Sequence, residues 1–157
     1  RGYAGGGRWR SEAAEGGNGP QDKGYEIGQK QKDRPEIMRY GRVTRRPILV
    51  PAVGNFDQGM QVELPLHLDL LPGQPSAEQL LRTYRAHYAG AEAVSVEAAP
   101  ESGKLDAVAL KGTNQLEIRV FANPEAAQAV CVARLDNLGK GASGAAVQNL
   151  KLMLGWD

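Results

Sequence analysis

The most regular feature of the chain is an alternation of apolar and polar residues between positions 60 and 70. The apolar positions are Met60, Val62, Leu64, Leu66, Leu68 and Leu70, and Gln61, Glu63, Pro65, His67 and Asp69 stand between them. Because successive strand side chains point to opposite faces, this period of two predicts a long strand with one face on a core. We expect His67, on the polar face, to be a surface or interface residue rather than a ligand.

A helix is predicted directly after this strand. Ser76 stands three residues before Gln79, which is the spacing of a capping box, and apolar residues then recur at helical spacing through residues 80–88. Gly90 is the expected end of the helix. His87 lies beside the apolar stripe, and we interpret it as a packing residue.

Shorter patterns predict the remaining elements. Strands are expected at residues 47–53, 93–98, 105–110, 116–121 and 129–135, with turns at 111–114 and 123–125. The strand at 129–135 is apolar on both faces apart from Arg134, which is typical of a central strand, and we expect Cys131 to be a buried hydrophobe rather than a nucleophile.

The chain closes with a predicted helix at residues 141–154. Small residues on one face would let another backbone approach closely, and Gly141 at the start would leave the first amides open to an anion or carbonyl. Few helices and several consecutive strands indicate an α+β fold with a mixed, mostly antiparallel sheet and helices on one face.

Composition divides the chain. Of its 157 residues 41% are hydrophobic, and the formal net charge is only +1, yet residues 1–46 hold eleven Lys and Arg against six Asp and Glu. We predict a basic, glycine-rich loop segment at 1–46, a sheet domain at 47–135 and a docking helix at 136–157. The first segment is either a mobile basic loop or a loop that receives an anion through backbone amides and Arg8.

Several kinds of site are disfavoured. One cysteine and two histidines leave no disulfide framework, cysteine-based zinc cluster or obvious catalytic triad. The balanced charge argues against nucleic acid and membrane partners, although binding of anions or nucleic acid by the basic stretch is a weaker alternative. Lys32 and Arg34 favour an ionised Asp33, which would be a weak base. A chain that opens at Arg1 without Met looks like an excised or processed piece.

Several segments, including residues 50–60 and 112–114, resemble one enzyme family in order along the chain. Residues 136–155 (DNLGKGASGAAVQNLKLMLG) are similar to the closing segment of N-acetyl-γ-glutamyl-phosphate reductases, which are aspartate-semialdehyde-dehydrogenase-like enzymes. Residues 2–8 (GYAGGGR) resemble the family's glycine-rich loop, and residues 34–37 (RPEI) match the end of its histidine-containing stretch.

The resemblance implies an NADPH-dependent reductase of arginine biosynthesis, located in the cytoplasm or in a plant organelle. The chain would be its glyceraldehyde-3-phosphate-dehydrogenase-like C-terminal half, forming oligomers through the sheet and docking on a Rossmann half outside the chain. In this family a cysteine attacks the acyl phosphate and hydride from NADPH reduces the resulting thioester. That cysteine would lie upstream of Arg1, so the chain alone would be inactive.

The resemblance also assigns roles to residues. Substrate would meet Gly5, Gly6 and Arg8, and NADP would meet Asn137, Lys140 and Gly141. Gln31 and Asp33 occupy the positions of the two family histidines, one of which is the expected acid–base residue. Because neither replacement has the chemistry of histidine, a non-catalytic dimerisation or regulatory relative is the alternative. No metal is expected.

Overall fold

A computed structural model describes residues 1–6, 23–30 and 34–156. The chain forms two compact units, Arg1–Asp57 and Gln58–Asp157. Among the described residues, no helix has the length and apolar character needed to span a membrane.

The described part of the first unit contains little regular structure. A 3₁₀ turn at Tyr3–Gly6 and helix α1 at Arg34–Tyr40 accompany a two-stranded antiparallel ladder of β1 (Lys23–Gly24) and β2 (Ala52–Val53). The strand expected at 47–53 is therefore mostly wrong. Prolines 47 and 51 offer no backbone donor, and the Leu49 N–H donates to the Gln29 side chain rather than to a neighbouring strand.

The second unit is a four-stranded sheet with two helices. The strands are β3 (Met60–His67), β4 (Val94–Val96), β5 (Leu116–Asn123) and β6 (Gln128–Leu135), in the spatial order β3-β6-β5-β4. β4 runs parallel to β5, and the other pairs are antiparallel. The helices are α2 (Ala77–His87) and α3 (Gly144–Leu154), and α3 follows a π-helical turn at Gly139–Ser143. This arrangement confirms the α+β prediction.

Strand register places the core on one face of the sheet. Cys131 of β6 lies opposite Leu64 of β3 and Val120 of β5, so the three share what we call the core face. Helix α2 covers part of this face and brings Leu80, Leu81 and Tyr84 against the buried residues Leu68, Val120, Ala129 and Cys131. The capping box that starts α2 is present, with the Gln79 amide donating to Ser76 Oγ and the Ser76 amide to Gln79 Oε1.

The long alternating strand is only partly covered. Its apolar residues Val62 and Leu64 lie on the core face but are 51% and 53% exposed. The strand also ends sooner than its pattern, because residues 68–70 turn into a 3₁₀ helix whose first amide donates to the Ala127 carbonyl. His67 is exposed, as predicted. His87 is exposed too, at the end of α2 with its ring edge-to-face on Tyr88, so its interpretation as a packing residue is wrong.

Residues 105–110 do not form the expected strand. They belong to a stretch that we call the crossing segment, residues 97–110, which is held to the sheet by side chains. Gln61 Nε2 donates to the Leu105 carbonyl, and Arg134 Nη1 donates to the Asp106 carbonyl. Since side chains occupy these carbonyls and Asp106 Oδ1 accepts from the Val108 amide, the local backbone turns rather than extending.

Candidate functional site

A buried carboxylate organises the turn after β6, residues 136–144, which we call the closing turn. Asp136 is only 2% exposed, and its Oδ1 accepts from the amides of Leu138 and Gly139 at 2.8 and 3.1 Å. Its Oδ2 accepts from the Gly112 amide at 2.6 Å. One carboxylate thus ties the closing turn to the 112–114 loop, which precedes β5.

The neighbouring Asn137 is buried with one half of its amide unsatisfied. It is 8% exposed, and its Oδ1 accepts from the Gly59 amide at 2.7 Å. Because the Gly59 amide is a donor, the side-chain atom that faces it must be the oxygen. Asn137 Nδ2 has no hydrogen-bond partner among the described residues. Because an unpaired buried donor is costly, Nδ2 is well suited to a ligand acceptor such as a carboxamide oxygen.

Glycines let the 112–114 loop approach the closing turn. A Cβ on Gly139 would stand 2.5 Å from the Thr113 carbonyl oxygen, and a Cβ on Gly144 would stand 2.1 Å from Asn114 Oδ1. The Asn114 side chain could turn away, but the Thr113 carbonyl and the Gly139 carbonyl, 2.8 Å from a Cβ on Gly144, could yield only by a backbone shift. The small residues at the start of the closing helix therefore admit this chain's own loop.

The amide of Gly141 is already used. It donates to the Asp136 carbonyl at 2.8 Å, and the Ser143 amide donates to the Leu138 carbonyl at 3.1 Å. The expectation that Gly141 leaves the first helical amides open is wrong, because the π-helical turn pairs them internally. Lys140 is held against α3 by a hydrogen bond from its Nζ to Gln148 Oε1. Asn137, Lys140 and Gly141 are nevertheless brought together on one turn.

Helix α3 itself leaves an open apolar surface. None of its residues is buried within the described structure. Leu150 is 51% exposed and Met153 is 83% exposed, and their spacing of three residues puts them on the same side of the helix. The opposite side exposes Leu152 at 72%.

The other predicted site residues belong to the first unit. Gly5 and Gly6 lie in the 3₁₀ turn, which is anchored by the Tyr3 and Ala4 amides donating to the carbonyls of Phe56 and Asp57 at 2.8 and 3.1 Å. Arg8, Gln31 and Asp33 lie outside the described residues.

Gln29 and Arg34, on either side of positions 31–33, are hydrogen-bonded to each other. Arg34 is 3% exposed and its Nη2 donates to Gln29 Oε1. Gln29 Nε2 donates in turn to the Leu49 carbonyl at 2.7 Å. Gln29 and Arg34 thus bracket the segment in which the family resemblance places acid–base chemistry.

A buried charge cluster lies on the face of the sheet opposite the core face, which we call the second face. The sequence analysis did not predict this cluster. Glu117 is 8% exposed, with Arg119 Nε at 2.6 Å and Arg134 Nε at 2.9 Å from its Oε1. Although burial opposes ionisation, hydrogen bonds and charges from the two arginines lower the pKa of Glu117. The two arginines also reach the crossing segment, since Arg119 Nη1 donates to the Ala98 carbonyl and Arg134 Nη1 to that of Asp106. The available signal was the three charged residues Glu117, Arg119 and Arg134 in two otherwise uncharged strands.

Cys131 has the properties expected of a core residue. It is 6% exposed, and burial raises the pKa of its thiol although the Tyr84 hydroxyl donates a hydrogen bond to it. Burial also raises the pKa of Tyr84, to about 12, and Cys131 adds to the shift. A neutral buried thiol is a poor nucleophile. No group of three or more His, Cys, Asp or Glu in the described part of the chain could hold a metal ion.

The family model and the curated relatives that match the chain all belong to one group of enzymes. Residues 1–137 match the family model of the semialdehyde dehydrogenase dimerisation domain. The chain is 44% identical over 160 residues to N-acetyl-gamma-glutamyl-phosphate reductase 2 of Pseudomonas putida, a match that covers 98% of the chain and 51% of the relative. It is also 44% identical over 160 residues to N-acetyl-gamma-glutamyl-phosphate reductase of a Chelativorans species, covering 98% and 52%. The chain thus spans about half the length of these relatives.

Proposed function

Because the chain belongs to the semialdehyde dehydrogenase family, whose dimerisation domain it contains, we propose that it is the substrate-binding and dimerisation half of an NADPH-dependent N-acetyl-γ-glutamyl-phosphate reductase. The whole enzyme would convert N-acetylglutamyl 5-phosphate to N-acetylglutamate 5-semialdehyde and phosphate in arginine biosynthesis. NADPH, when bound, would supply the hydride. The nucleophilic cysteine would come from the other half, since Cys131 is buried and neutral.

The observation that carries this proposal is the half-satisfied amide of Asn137. Its Oδ1 is held by the Gly59 amide at 2.7 Å, so Nδ2, which has no partner in the part of the chain that the structure describes, keeps one orientation. A fixed donor of this kind fits the carboxamide oxygen of a nicotinamide. Lys140, on the same turn, would form a charge-assisted hydrogen bond with a negatively charged group of the cofactor.

The first unit would receive the anionic end of the substrate. In our proposal Arg8 and the backbone at Gly5 and Gly6 hold the phosphate or carboxylate, because guanidinium and glycine-rich backbone are both suited to oxyanions. The anchoring of the Tyr3–Gly6 turn to residues 56 and 57 supports a preformed backbone there.

Two surfaces would be covered in the whole enzyme. The exposed side chains of Leu150 and Met153 would dock on the half that this chain does not match, which we propose to be a Rossmann domain. A second copy of the chain would associate through the predicted polar face of the sheet, and the exposed Val62 and Leu64 leave further apolar area open on the core face.

A non-catalytic relative of the family is the second candidate, and one observation favours it. Gln31 and Asp33 stand where the family has histidines. Gln31 cannot exchange a proton, and a negative Asp33 would disfavour a nearby thiolate. Such a protein would keep the cofactor turn and the interfaces but lack turnover.

A chimera separates the two candidates. The chain would replace the half that it matches in the Pseudomonas putida relative, and the chimera would be assayed for phosphate-dependent reduction of NADP⁺ with N-acetylglutamate semialdehyde. Turnover supports the reductase. A folded, NADPH-binding chimera without turnover supports the non-catalytic relative.

The histidine positions can be tested in the same chimera. If an inactive chimera gains turnover on Asp33→His, and not on Gln31→His, position 33 is the acid–base site. A folded chimera that binds no NADPH, measured by nicotinamide fluorescence, would overturn the proposed function altogether.

A further inference from the structure

The closing turn is organised by Asp136, which is not among the residues proposed to contact the cofactor. We propose that Asp136 is a positioning residue, which acts through Asn137 by clamping the closing turn to the 112–114 loop. This inference rests on the proposed function only for the identity of the ligand. The clamp itself is a property of this chain.

The geometry of Asp136 carries the argument. Its two carboxylate oxygens accept from three backbone amides that belong to two separate segments, at 2.6 to 3.1 Å. Its own carbonyl accepts from the Gly141 amide. A carboxylate accepts on both oxygens, whereas an amide or an alkyl group at this position could satisfy at most one side.

The clamp bears directly on Asn137. The amide plane of Asn137 is held from only one end, by the Gly59 amide on its Oδ1. The direction of Nδ2 therefore depends on the backbone at residues 136 and 137. That backbone is held by the Gly112 and Gly139 amides, which donate to the Asp136 carboxylate, and Gly139 lies directly against the Thr113 carbonyl.

Asp136→Asn is the direct test, because it keeps the shape and turns one acceptor into a donor. In the isolated chain, NMR would follow the side-chain amide signals of Asn137 and the hydrogen exchange of the Gly112, Leu138 and Gly139 amides. We expect the Asn137 signals to shift and at least one of the three backbone amides to exchange about tenfold faster. Asp69→Asn, at an exposed position in the 3₁₀ helix that follows β3, is the matched control and should leave these signals unchanged.

The second readout is a double-mutant cycle for NADPH binding in the chimera. Asp136→Asn should raise the dissociation constant about tenfold on the natural background and should have no effect on an Asn137→Ala background, because the two residues act in series. An equal effect on both backgrounds would show that Asp136 does not act through Asn137.

Three results would overturn the proposal. The first is an unchanged Asn137 signal in a folded Asp136→Asn chain. The second is an equal effect of Asp136→Asn on the NADPH dissociation constant in the two backgrounds. The third is rapid exchange of the Gly112, Leu138 and Gly139 amides in the unsubstituted chain. The last measurement needs no variant, so a failure of Asp136→Asn to fold leaves the proposal testable. Absence of NADPH binding by the unsubstituted chimera would instead overturn the proposed function, and the exchange data would still decide whether the clamp exists.

Discussion

At the scale of single residues, Glu117 shows how a buried charge can be kept ionised in a sheet. Its side chain lies between two arginines at hydrogen-bonding distance, and each arginine continues to a backbone carbonyl of the crossing segment. Losing one partner of such a group leaves the others buried and unpaired, which costs more than the pair contributes when intact.

Glu117→Gln should therefore lower the free energy of unfolding at pH 7 by about 3 kcal/mol. The pKa of Glu117 is lowered in the folded chain from an ordinary value of 4.5, so its stabilisation is present above that pH and is lost as the pH falls below it. Chemical denaturation between pH 3 and 7 should show a shallower acid-side decline for the variant.

Glu63→Gln is the control for this prediction. Glu63 is exposed and shares the second face of the sheet with Val132 and Arg119. It should change stability by less than about 0.5 kcal/mol. An acid-side decline in Glu117→Gln as steep as in the unsubstituted chain would contradict the assignment.

At the scale of elements, the start of α3 is shaped by a loop rather than by helix propensity. Alanine normally favours a helix over glycine by about 1 kcal/mol. At Gly144, however, a Cβ would meet Asn114 Oδ1 at 2.1 Å and the Gly139 carbonyl at 2.8 Å. The collision should outweigh the propensity gain.

We expect Gly144→Ala to lower the free energy of unfolding by about 2 kcal/mol, a typical cost of overpacking. Adding Asn114→Gly should recover part of this loss, since the contact with the Gly139 carbonyl remains. Asn149→Ala, at an exposed position of the same helix, should be neutral or stabilising. Thermal unfolding of the four chains decides, and a stabilised Gly144→Ala would refute the close packing.

The success of sequence reasoning at this scale followed the range of the interactions. The start of α2 was predictable because Ser76 and Gln79 cap each other three residues apart. The crossing segment was not, because its carbonyls are occupied by Gln61 and Arg134, which are 44 and 28 residues away. The position of Asn137 was found by resemblance, but its orientation depends on Gly59, 78 residues distant.

At the scale of the whole molecule, the main feature is apolar surface that the described residues leave exposed. The chain spans about half the length of its relatives, and helix α3 exposes apolar side chains along its length. Exposed apolar area of this extent on one helix is typical of an interface.

Leu150→Glu combined with Met153→Glu tests this view. In the isolated chain the pair should change the midpoint of thermal unfolding little, because both side chains are at least half exposed. In the chimera it should lower that midpoint by several degrees. Leu152→Glu, on the opposite side of α3, is the matched control, and an equal loss from it would argue against a specific docking face.

The crossing segment has a mechanical consequence. It spans the second face of the sheet above a cavity of about 330 Å³ lined by Gln61, Glu63, Gly103, Leu105, Phe121, Val130 and Val132. Two residues beyond the end of the segment, the Gly112 amide donates a hydrogen bond to Asp136 Oδ2. If a ligand that displaced the crossing segment also weakened the Gly112–Asp136 hydrogen bond, linkage would require a ligand bound at the closing turn to oppose that displacement by the same free energy.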